Sequence, residues 1–339
     1  MPWPGSSAND VDAGGLANSR TAQRAALISC SATPVSTTNS DRAHWMLSTG
    51  CNVAGTFDRS AEPADRQLGE QSLSGQVMTQ RDNWGWQARI GMFIVGSEVV
   101  PEAEWWAMVP LNVSVHAARV TARAPWARWR DDRSGVELED DLLRGCRQFA
   151  PMCLSAVVVG HSSSSILGGP QWDEAVVETL SRELGGGVAV TTNGLDCAAA
   201  LQASGVNRPF LVFPPWFDDS LVAAGVRDWC ARGTKPAGHL RYDPGRQWRD
   251  VPPGELYRQG MGIEQAIEPL YQQVRVACPQ EADGVLIAGT GFRCVGILDA
   301  LERDLQRPVV SANQASLWHC LRLSGVRTPV GGYGNLLRL

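Results

Sequence analysis

The sequence predicts an α/β protein built on parallel sheet, and three observations carry that prediction. Short Val/Ile/Leu-rich runs recur along the chain from Arg89 onward, amphipathic stretches of helical length lie between them, and several of those stretches end in glycine. "RIGMFIVG" (89–96) is the first such run; "SAVVVG" (155–160), "GVAVTT" (187–192), "RPFLVFP" (208–214), "GVLIAGTG" (284–291) and "RPVVSAN" (307–313) follow. Runs apolar on successive residues, rather than on alternate ones, suit parallel strands covered on both faces. The intervening helices are expected at 172–184, 194–205, 263–277, 295–306 and 316–325. In such sheets ligands bind beyond the carboxyl ends of strands. "GSEVVPEAEWW", "GHSSSSILGG" and "GTGFRC" are the chemically distinctive loops at those ends.

The first 85 residues read differently. They are rich in Ser, Thr, Asn, Ala and Gly without a sustained helical or strand period, and are expected to form a disordered extension. Met78 stands just ahead of the first strand-like run, which makes it a candidate native start. A tryptic peptide from residues 21–43 of the natural protein would sink that idea.

Composition narrows the function. A net charge of −5 over 339 residues, with no dense basic run, argues against nucleic acid and anionic membranes as partners. No apolar run reaches about 18 residues and the N-terminus lacks the order of a signal peptide, so a cytoplasmic protein is expected. The nine cysteines are scattered without a CxxC, and the five histidines supply no close ligand pairs. Reduced, mostly buried thiols and no metal site are the expectation. "GTGFRC" is too short for a dinucleotide fingerprint, and the single lysine, Lys235, lies far from it, which disfavours a phosphate cofactor.

Loops of small residues that open helices present backbone N–H groups and favour anions. Here the hydroxyls of Ser162, Ser163, Ser165 and Thr290 are candidates to cradle carboxylate oxygens; serine runs in loops also serve simply as turns and caps.

From residue 89 to 328 the chain resembles the aspartate/glutamate racemase superfamily, within it the maleate cis-trans isomerase and arylmalonate decarboxylase branch. "GSEVVPEAEWWAMVP" resembles the first loop and helix, "VSVHAARV" (113–120) the second strand and "HSSSSILGG" the first catalytic loop. "TTNGLDCAAALQASGVNR", "FPPWFDD", "GTGFR" and "LERDLQRPVVSANQASLW" follow in the family's order.

The resemblance implies two pseudo-symmetric flavodoxin-like halves, drawn here as 86–186 plus 307–339 and 187–306, with the active site in the cleft between them. It implies cofactor-independent isomerase or lyase chemistry on a small carboxylate, and leaves room for a homo-oligomer. Ser97, Gly289, Gly291 and Asn313 fall in segments that such a site would use. Most members place a cysteine on either face of the substrate carbon, so that one thiol takes a proton and the other gives one. This chain departs from that pattern. Alignment puts His161 at the first cysteine and Gly289 at the second; Cys294 could serve only in another register.

Three readings of the departure stand open. His161, with a pKa near neutrality, is a lone general base or nucleophile. Alternatively Glu98, where the family has a polar residue, is its acid/base partner, which requires a raised pKa or a different substrate. In the third, the cleft binds a ligand without turnover. Trp216, in place of a tyrosine common at that point of the family, would widen the apolar wall; Trp318 and one of Trp105 and Trp106 are expected in the core.

Overall fold

The computed structural model describes residues 83–339. The expected extension, save its last three residues, and the proposed start at Met78 lie outside the described residues.

The first sheet contains β1 (Ala88–Val95), β2 (Val113–Val120), β5 (Ala156–Val159) and β6 (Ala189–Thr192), all parallel, in the order β2-β1-β5-β6. Its crossovers are α1 (Val100–Met108), α2 (Asp140–Phe149), and the pair α3 (Ser162–Gly168) and α4 (Pro170–Glu183). A short antiparallel ribbon, β3 (Ala127–Trp129) with β4 (Val136–Leu138), precedes α2.

The second sheet contains β7 (Pro209–Phe213), β8 (Gly238–Arg241), β9 (Gly284–Ile287) and β10 (Val309–Ser311), again parallel, in the order β8-β7-β9-β10. α5 (Asn193–Ala203) leads into it from β6, and α6 (Asp219–Ala231) joins β7 to β8. Three helices, α7 (Pro253–Leu256), α8 (Met261–Glu264) and α9 (Ile267–Ala277), fill the long connection to β9. α10 (Leu298–Leu305) precedes β10 and α11 (Ala312–Leu323) follows it. Counted from its own first strand, each sheet has the order 2-1-3-4, so the halves repeat one flavodoxin-like plan.

Strand period sorts the core. Ile90, Met92 and Ile94 of β1 join one apolar cluster with Leu211 and Phe213 of β7, whereas Phe93, between them, joins a second cluster with Val157 and Val159. Every residue of β5 is buried, as its unbroken valines predict. α11 touches β5 and β6 of the first sheet as well as its own β10.

The expected boundaries between halves therefore move. Residues 189–192 pair with β5 in the first sheet, and 309–311 pair with β9 in the second. The helix expected over 263–277 is also broken, at Gln265. In a continuous helix Pro269 would leave the Gln265 carbonyl without its donor and its ring would clash there; as the third residue of α9 it does neither. The Gln265 side chain bridges instead to the backbone of Arg293, donating to its carbonyl at 2.9 Å and accepting from its N–H at 3.2 Å. The strand expected over 307–313 yields early to α11, because Ser311 and Gln314 close a reciprocal capping box. Trp105 and Trp318 are core residues, while Trp106 is exposed.

Candidate functional site

In a 2-1-3-4 sheet, connections diverge between strands 1 and 3, and that switch point is where ligands bind. The two switch points of this molecule open on one cavity of about 620 Å³. Val95, Ser97 and Glu98 reach it from the end of β1, and His161, Ser162 and Ser163 from the end of β5. Trp216 and Phe217 follow β7, and Gly289, Thr290 and Gly291 follow β9. The structure thus brings together nine of the expected site residues from four loops far apart in sequence.

Glu98 is 6% exposed. Burial raises its carboxyl from the ordinary 4.5 to about 7, against the opposing pull of the Thr290 hydroxyl and the Arg119 charge. Thr290 donates to Glu98 Oε2 at 3.4 Å. Arg119 is held elsewhere, pairing with the Glu102 carboxylate and donating to the Glu98 carbonyl at 2.5 Å. The shift that a carboxylate required in this loop is therefore present.

His161 behaves differently from its sequence expectation. Its ring stacks on Trp126 at 4.2 Å and 20°, and its Nδ1 pairs with Ser164 Oγ at 2.9 Å. Burial lowers its pKa from 6.5 to about 3 rather than leaving it near neutrality, so the imidazole is neutral at pH 7 and a weak base. Ser164, the serine not singled out from the run, is the one that holds the ring, and it also accepts the Trp126 backbone N–H at 3.1 Å.

The serines divide their work. Ser162 donates its only hydroxyl proton to Asn193 Oδ1 at 2.6 Å and accepts the Gly289 N–H at 3.1 Å, so it clips the first-sheet loop to the second-sheet loop. Its proton is committed and cannot also reach a ligand. Ser165 faces away from the cavity, donating to Asp173 at 2.7 Å and accepting the Gly194 N–H at 3.1 Å. Asn313 likewise stands behind the wall, donating to the Thr290 carbonyl at 2.8 Å and to Glu104 Oε2 at 2.6 Å. Of the run, Ser163 remains the cavity-lining serine outside these clips.

Neither position aligned with a catalytic cysteine offers sulfur, and Cys294 does not replace it. Cys294 is 2% exposed and absent from the cavity lining; burial and the Glu104 charge push its thiol up. Its own N–H is spent on Glu104 Oε1 at 2.6 Å. Gly289 itself adopts φ +94°, and a Cβ built there would lie 2.8 Å from Pro214 Cγ. The backbone is shaped for glycine.

Sequence reasoning missed the third wall. Tyr257, Arg258 and Ile263, with Gly254 and Gly260, reach the cavity from the β8–β9 connection. An aromatic residue next to arginine in a Pro/Gly-punctuated crossover was the available signal. Arg258 is the exposed cation there, paired with Glu255. Among the described residues no group of three or more His, Cys, Asp or Glu side chains is placed to hold a metal ion, and no helix is long and apolar enough to cross a membrane.

The family model for arylmalonate decarboxylase matches residues 263–337, from α8 through α11. A crystal structure of arylmalonate decarboxylase superposes with a TM-score of 0.57 at 19% identity, covering 74% of this chain and 98% of that one. The maleate cis-trans isomerase of Nocardia farcinica, bound to TRIS, gives 0.60 at 19%, covering 74% and 98%. The maleate isomerase Iso of Pseudomonas putida S16 gives 0.60 at 16%, with the same coverage. No curated protein sequence matches the chain.

Proposed function

We propose that this protein is a cofactor-independent isomerase or lyase acting at a carbon next to a carboxylate, with Glu98 as its acid/base group. One observation carries the reading: a carboxyl poised at about 7 stands in the cavity where both switch points meet. A group with that value is present in both protonation states at neutral pH. Ionised, it takes a proton from the α-carbon; protonated, it gives one to the carbanion left when carbon dioxide departs, and water then restores it.

The remaining residues take supporting roles. Ser97, Ser163 and the Thr290 hydroxyl line the polar side, Arg258 supplies positive charge for a second carboxylate at the mouth, and Trp216 forms an apolar wall. His161, being neutral, serves as a hydrogen-bonding group beside the reacting carbon rather than as the base. The buried thiols Cys146, Cys197, Cys294 and Cys320 suit the reducing cytoplasm.

The test is turnover of phenylmalonate, methylphenylmalonate, maleate and small 2-substituted acids in D2O, followed by proton NMR. Deuterium at the α-carbon or loss of carbon dioxide is expected from the wild-type protein and not from Glu98→Gln. Equal rates in both proteins would remove Glu98 from the chemistry. A ligand-binding protein without turnover is the second reading, favoured by the weak basicity of His161 and by the seating of Cys294 outside the cavity. Small acids that raise the melting temperature with no product from any of the panel would establish it.

A further inference from the structure

Tyr257 is the residue of the third wall whose hydroxyl has nothing regular to bond to. It caps α7, in a connection that contributes neither to β8 nor to β9, and its side chain lines the cavity. The phenol oxygen is buried and makes no hydrogen bond of regular geometry, although the backbone of Val99 and the Glu98 carboxyl lie beside it. A buried hydroxyl without a partner is costly, and natural structures seldom leave one unless something else satisfies it.

The ring is held in place. Trp216 meets it edge-on, with centroids 5.0 Å apart and planes at 81°. Two glycines give it room: a Cβ at Gly262 would come within 2.3 Å of Tyr257 Cε2, and one at Gly291 within 2.9 Å of the same atom. The Gly291 Cβ would also lie 2.5 Å from Glu98 Oε1. Gly291 is therefore the common floor of the phenol and the carboxyl, and the two groups border one patch of cavity.

We infer that Tyr257 is a further catalytic residue, its hydroxyl donating a hydrogen bond to the substrate oxygen that gains negative charge as Glu98 moves the α-proton. The inference rests on the carboxylate reading of the cavity. No proton leaves the phenol: the bond is donated and strengthens as charge builds on the acceptor. Burial and the neighbouring Glu98 charge push the phenol above its ordinary value, which keeps the proton in place.

Tyr257→Phe removes the hydroxyl and keeps the ring against Trp216. Calorimetric titration with phenylmalonate, beside melting curves of the ligand-free proteins, gives two readouts of opposite sign. The variant is expected to bind about ten-fold more weakly or worse, the loss of one hydrogen bond to a charged acceptor. It is also expected to melt at a higher temperature when empty, because an unpaired buried hydroxyl is gone. A merely structural tyrosine would lower the melting temperature. If the wild-type protein binds phenylmalonate and Tyr257→Phe binds it equally well, the role of Tyr257 is overturned and the carboxylate reading stands. If the wild-type protein binds neither phenylmalonate nor maleate, the carboxylate reading falls and the role of Tyr257 falls with it.

Discussion

The two halves share a strand order, and their loops bring different chemistry to the same cavity. The first half contributes groups that ionise, Glu98 after β1 and His161 after β5. The second contributes backbone, two hydroxyls and aromatic surface: Gly289, Thr290 and Gly291 after β9, with Trp216 after β7 and Tyr257 from the crossover. A symmetric scaffold here supports a lopsided site. The candidate acid/base groups gather on one side and the shaping groups on the other, and each variant below breaks or sharpens that contrast.

The largest effect is expected from Glu98→Gln. Loss of a positioned acid/base group lowers kcat by about 10²- to 10⁴-fold. The pH–rate profile of the wild-type protein should bend near 7, rising with pH where ionised Glu98 takes a proton and falling where protonated Glu98 gives one. His161→Gln should keep that bend; its disappearance would move the titration to the imidazole.

Stability should show the same two groups with opposite signs. Glu98 has a folded value raised from 4.5 to about 7, so its neutral form is favoured by folding. That contribution is whole below 4.5 and is lost as pH rises through 7, about 3 kcal/mol in all. His161 has a folded value lowered from 6.5 to about 3, so its contribution is whole above 6.5 and is lost as pH falls toward 3. Between 4.5 and 6.5 the two slopes offset. Urea unfolding of wild-type and Glu98→Gln proteins across pH 4 to 9 should show the variant's relative stability growing with pH; a constant difference would contradict the raised value.

Gly289→Cys places a thiol where the resemblance calls for one, in a left-handed backbone and against Pro214. A cost of about 2 kcal/mol or more is expected, without a gain in turnover. A stable and faster variant would show that the loop adapts. Ser162→Ala cuts the clip between the loops and leaves the Gly289 N–H and Asn193 Oδ1 short of a partner, at about 1–2 kcal/mol by denaturant titration. Arg258→Ala should change stability by less than about 0.5 kcal/mol, since its pair with Glu255 is exposed, while raising KM for dicarboxylates. An unchanged KM would remove Arg258 from the carboxylate contacts.

Much of this was legible along the chain, for physical reasons that also mark the limits. β5 announces itself because four successive buried residues must all be apolar. β8 does not, because it is an edge strand whose His239 and Arg241 point outward. The polar loops after β1, β5 and β9 were readable as candidate cavity lining because strand ends in parallel sheets converge. The division of labour among the serines was not, since it depends on Asn193 and Gly289, 31 and 127 residues from Ser162. The His161 value was unreadable for the same reason: a ring stacked on Trp126 loses solvent that no neighbour in sequence removes. Tyr257 lay hidden in a crossover without regular period.

The left-handed turn at Gly289 has a consequence for how this protein can change. A single codon exchange to cysteine installs the atom but not the place for it, because the backbone and Pro214 were set for a residue without a side chain. Seating a thiol on that side requires the turn and the proline to be rebuilt together, so point mutation alone does not provide one.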